Sequence, residues 1–141
     1  MTLEAAITRL QAITKEVDSI SPVVKSAPDT PVEDAAMLPM SIAHIGTGTV
    51  APDDASTTRL ILNVFVDVHF SLNQLSMAYD QINAFIPDYM KRLSGDPTLD
   101  SNTQTIVFPV SVQVLQMEWD RLTTVAAPFT VPLKYREAPT T

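Results

Sequence analysis

Imidazole is the side chain best suited to bind a metal or to move a proton near neutral pH. The chain has two histidines, His44 and His69, and no cysteine. In Asp67-Val68-His69 a carboxylate and an imidazole stand two residues apart. On a strand that spacing puts both on one face, so together they could chelate an ion. A zinc site takes three or four protein ligands, and the sequence sets no third or fourth beside this pair. The histidines therefore read as solvated or interface residues, with no metal. Asp53-Asp54 lacks the second partner motif that general acid–base work requires. Gly46-Thr47-Gly48-Thr49 has neither the lysine nor the following helix of a phosphate cradle. No Gly-x-Ser-x-Gly elbow occurs among the serines. Trp119, the one tryptophan, ends an alternating run, where it serves as core packing or as a contact anchor. These residues predict no catalytic centre and no cofactor, so the chain reads as a non-enzyme.

The elements that hold these residues follow from hydrophobic spacing. Leu3, Ile7, Leu10, Ile13, Val17 and Ile20 recur at steps of three and four, which predicts an amphipathic helix over 3–20, ended by Ser21-Pro22. A loop over 22–36 follows, stiffened by Pro22, Pro28 and Pro31. Residues 37–45 predict a short strand, with Pro39 at its start or on an edge. Gly46–Thr57 reads as a polar loop. Thr58 to Phe70 alternates: Leu60, Leu62, Val64, Val66, Val68 and Phe70 on the face toward the helices, and Arg59, Ile61, Asn63, Phe65, Asp67 and His69 on a wetter one. Ser71 caps a second helix reaching Gly95, with a kink or break expected near Ile86 because of Pro87. A long strand over 103–119, with a bulge or edge at Pro109, leads through a turn at 120–127 to a last strand, forming a hairpin. The expected fold is α+β: roughly four strands in a mostly antiparallel sheet, with two main helices on one face. It forms one domain over 1–136, followed by a short tail at 137–141.

The 141 residues carry 16 acids and nine bases, a net charge of −7. An acidic chain does not gather nucleic acid by neutralising phosphates. It suits a soluble protein, or the wall of a passage that must not hold DNA. No apolar run approaches the roughly 20 residues that cross a bilayer. Glu4, Arg9, Lys15 and Glu16 interrupt the N-terminal apolar residues, so no secretory signal and no membrane partner are expected.

With its elements in this order, the chain resembles the tail terminator family of long-tailed bacteriophages, the lambda-type minor tail proteins. The similarity rests on an N-terminal amphipathic helix, Leu38-Pro39 opening a strand, and the long alternating run Arg59 to Val68. It continues with a helix ending near Gly95-Asp96-Pro97-Thr98-Leu99 and a closing hairpin. It covers most of 1–136 as a pattern of elements, with Asp96-Pro97-Thr98-Leu99 as its literal piece; Asp100-Ser101-Asn102 stands where many related chains have glycine. The resemblance implies a virion protein of the tail or neck, assembled in the host cytoplasm as a ring, typically six-fold. That ring ends growth of the tail tube and meets the head–tail connector, while DNA passes through its lumen without specific binding. Other neck or head–tail completion proteins share the pattern. A non-catalytic dimeric adaptor is the reading that dispenses with the ring. For an assembling subunit, the expected contacts are the Gly46–Thr57 loop, with the charge of Asp53 and Asp54, and an intersubunit face of Ile61, Phe65 and His69. Arg59 and Arg121 would pair with acids of a neighbour.

Overall fold

The computed structural model describes residues 3–20, 24–25, 27, 38–52, 58–71, 75–101, 103, 105–119 and 122–137. Its elements run α1 (Leu3–Glu16), β1 (Met40–Pro52), β2 (Thr58–Ser71), α2 (Leu75–Gly95), β3 (Thr105–Ile106), β4 (Ser111–Val112), β5 (Leu115–Trp119) and β6 (Leu122–Glu137). The fold is α+β, and the sheet is antiparallel with six strands, where the sequence predicted about four. The difference lies in the run 103–119. β1, β2 and β6 lie side by side. β2 pairs β6 along residues 124–137, so β3, β4 and β5 follow one another down the other edge of β6 as a fourth lane in three pieces.

Prolines of β6 explain the breaks. The Pro132 carbonyl accepts from the Val107 N–H and the Pro128 carbonyl accepts from the Gln113 N–H. In an antiparallel pair such positions exchange two bonds, and proline has no N–H to return. The lane is interrupted at both places, after Ile106 and after Val112. At the first break Ile106 faces Leu133 and Ser111 faces Thr130, so four residues answer two: the bulge expected at Pro109.

Further expectations are corrected. Gly46 to Pro52 is strand, with Thr47 to Pro52 paired to Asn63 to Thr58, because Gly46 is absorbed as a bulge and Thr47, Thr49 and Val50 favour extended backbone. β6 begins at Leu122 opposite Trp119, so residues 122–127 of the expected turn at 120–127 are strand. α1 ends at Glu16, yet Val17 and Ile20 remain buried, which is why the helical spacing seemed to continue to 20. α2 runs through Pro87 as one helix to Gly95. Ser71, expected to cap α2, closes β2 instead; α2 begins at Leu75, and residues 72–74 lie outside the described residues.

The core forms on the face carrying Val64, Val66, Val68 and Phe70 of β2 and the alternate residues Val125, Ala127, Phe129, Val131, Leu133 and Tyr135 of β6. From α2, Ala78, Ile82, Phe85, Tyr89 and Leu93 enter the same cluster, as do Ala6, Leu10 and Ile13 of α1. Phe85 stacks on Tyr89 at 5.4 Å between centroids, and Tyr89 meets Phe129 edge-on at 4.8 Å. Buried Gln11 joins α1 to β1: its Nε2 donates to the Ser41 carbonyl at 3.0 Å, and Ser41 Oγ donates to Gln11 Oε1 at 2.6 Å.

Candidate functional site

The register of β1 on β2 passes from Ile45 opposite Val64 to Thr47 opposite Asn63, leaving Gly46 as the unpaired residue of the bulge. The Phe65 ring lies across that glycine, so a Cβ at position 46 would overlap the ring. His44, paired with Phe65, holds its imidazole 5.5 Å from the same ring. Its Nε2 reaches diagonally to Asp67 Oδ2 at 3.3 Å, from a half-exposed histidine to a nearly buried carboxylate. His69 is buried, and its Nδ1 lies 2.7 Å from Thr124 Oγ1 of β6. Burial pushes the His69 imidazole below its ordinary pKa, and the charge of Asp67 opposes this more weakly.

Asp67 and His69 share a face as their spacing predicted, but different partners take them: His44 for the first, Thr124 for the second. Among the described residues no group of three or more histidines and carboxylates stands close enough to hold a metal ion.

The other expected contact residues scatter. Arg59 is exposed near the end of the β1–β2 ribbon; Ile61 and Phe65 are half-buried. His69, at 3% exposure, offers no surface to a neighbour in the folded monomer. Asp53, Asp54 and Arg121 lie outside the described residues. Beside Phe65 an open groove of about 300 Å³ is lined by Ser111, Val112, Gln113, Pro128 and Thr130, all uncharged.

A second polar group closes the helical end of the molecule. Arg9 donates from Nε to Asp96 Oδ2 at 2.9 Å and from Nη1 to Glu16 Oε1 at 3.1 Å. Asp96 Oδ1 accepts the Asp100 N–H at 2.9 Å. These bonds brace Leu99, Asp100 and Ser101, three consecutive residues with φ of 49°, 58° and 67°, a region that costs non-glycine residues about 1–2 kcal/mol each. Fully buried Leu99 anchors the turn. Burial raises the Asp96 pKa, but the Asp100 N–H and then Arg9 outweigh it and hold the carboxyl below its ordinary value. The literal Asp-Pro-Thr-Leu piece is thus a structural turn, in which the aspartate and the leucine each have a visible task.

Sequence reasoning missed the Gly46 bulge and the Gln11–Ser41 pair. The second had a signal: Ile7, Gln11 and Thr14 continue one helical line, and Gln11 and Thr14 are buried. No protein-family model and no curated protein matches this chain.

Proposed function

We propose that this chain is a structural subunit that assembles with copies of itself into a ring, typically of six, at the head-proximal end of a phage tail tube. There it terminates the tube and meets the neck connector. In this reading it is no enzyme, carries no cofactor, and lines a lumen through which DNA slides. The two helices form a layer over one face of the sheet, as the contact of α1 with Ser41 and those of α2 with Phe70 and Phe129 favour. A net charge of −7 suits a wall that must not retain phosphates.

The observation that carries the reading is an overhang. β2 has 14 residues and spans roughly 48 Å, whereas α2, with 21, spans roughly 32 Å. The β1–β2 ribbon therefore outruns the helices, and every residue from Ile45 to Val50 is exposed. An uncovered ribbon of this length is what a subunit reaching toward neighbours requires, and a monomer gains no stability from it.

Native mass across a concentration series, with negative-stain images of the same samples, tests the reading. Closed rings with a central hole are expected. A dimer would replace the ring with the adaptor reading, and a monomer at every concentration would overturn self-assembly.

A further inference from the structure

Edge strands are usually guarded by charged side chains, by proline or by bulges; the edges of this sheet have Pro52, Pro109 and the Gly46 bulge but lack the charge. Here the two longest stretches without Asp, Glu, Lys or Arg are 35–52 and 101–117. They supply the two opposite edges of the sheet: β1 on one side, and β3, β4 and most of β5 on the other. At the chain's 18% of charged residues, these 35 positions would carry about six. Burial explains part of this for Met40 to Ala43, but Ile45–Val50 and most of Phe108–Gln116 face solvent. Of the six large hydrophobic residues exposed among the described ones, four stand on these edges: Ile45 and Val50 on one, Phe108 and Val114 on the other.

We infer that the two edges are the two halves of one contact between copies of this chain, the β1 edge of one copy seating against the broken lane of the next. This rests on the self-assembly reading and names its surfaces. Charge points to a second copy as the occupant. Two chains of −7 repel wherever their acids meet, and the uncharged edges are where they approach without that cost. The halves also differ in shape. β1 carries Val50 at 68% exposure, whereas the other edge bulges between Ile106 and Ser111 and is flanked by the uncharged groove beside Phe65 and Pro128. Unlike halves on opposite sides of a subunit give a head-to-tail contact, which propagates beyond a dimer, into a ring where the rotation closes and into a filament where it does not.

The chain has no native cysteine, so introduced thiols report cleanly. Val50→Cys, Val114→Cys and the double variant, each checked for an unchanged thermal melt, would be treated with a short bis-maleimide cross-linker. Their products would be resolved on denaturing gels, beside native mass of the wild type. The double variant is expected to give a ladder of covalent oligomers reaching the ring size, and each single variant to stay monomeric. Dimers from Val50→Cys alone would mean that β1 pairs with itself, and would overturn the proposal. Wild-type rings with no ladder from the double variant would overturn the edge contact and leave the ring standing. A monomeric wild type would overturn both.

Discussion

The same strands build two unlike faces. On the core face β2 contributes Val64, Val66, Val68 and Phe70, all fully buried, and the rings of Phe70, Phe85, Tyr89 and Phe129 interlock above them. On the opposite face the alternate residues are half-buried Phe65, Asp67 paired to His44, and His69 bound to Thr124. The first face is held by volume and the second by partners, so damage to them should differ in kind. Phe129→Ala should cost about 3–5 kcal/mol, a large share of the stability of a domain this size. Phe65→Ala, one strand away, should cost only about 1–2 kcal/mol, as a half-exposed ring loses less on leaving. Urea denaturation of both measures this, and equal losses would erase the distinction.

Next in size is the bulge. Gly46→Ala puts a methyl group into the Phe65 ring, and the resulting shift should cost about 1–3 kcal/mol. In a Phe65→Ala background the obstruction is gone, so the same change should cost a few tenths of that. Full additivity in this double-mutant cycle would show that the glycine serves the backbone rather than the ring.

The third difference appears with pH. His69 is buried and neutral, with a folded pKa below the unfolded value near 6.5. As pH falls below that value the unfolded chain takes up a proton that the folded chain resists. Its contribution is therefore fully present above about pH 6.5 and is lost as pH falls toward the folded value. The core face answers differently: burial pushes the phenols of Tyr89 and Tyr135 upward, away from this range. Between pH 7 and 5 the wild type should lose stability more steeply than His69→Gln, each followed by chemical denaturation. Parallel slopes would remove His69 as the acid-sensitive group.

The core face was legible in the sequence almost residue by residue, because hydrophobic periodicity reports burial directly: the alternation from Leu60 to Phe70 fell where expected. The opposite face was not. Asp67 and His69 stood out by type, but their partners are 23 and 55 residues away in sequence and cannot be read from local spacing. Strand ends failed for a related reason. Gly46 looked like the start of a loop, since a glycine followed by threonines fits a turn as well as a bulge, and only the Phe65 ring opposite decides between them. The three-way division of the fourth lane could have been foreseen had Pro128 and Pro132 been read as donors missing from a neighbour rather than as features of their own strand.

The smallest effect tests whether the partners on the opposite face matter individually. His44 and Asp67 lie 3.3 Å apart, but the His44 side chain is 42% exposed, so water and salt screen the pair from one side. With His44 protonated this is an exposed ion pair, and such pairs contribute about 0–1 kcal/mol, because holding two side chains in one geometry offsets the Coulomb gain. The coupling from His44→Ala, Asp67→Asn and the double variant should therefore stay below about 1 kcal/mol and shrink further in 1 M salt. Asp67 itself is only 12% exposed in its side chain, which opens the contrary outcome. If its desolvation dominates, removing His44 leaves a buried charge alone, and the coupling should exceed about 2 kcal/mol and resist salt. That result would make the opposite face as tightly specified as the core, with electrostatics in place of volume, and the contrast between the two faces would then be one of chemistry without a difference in strength.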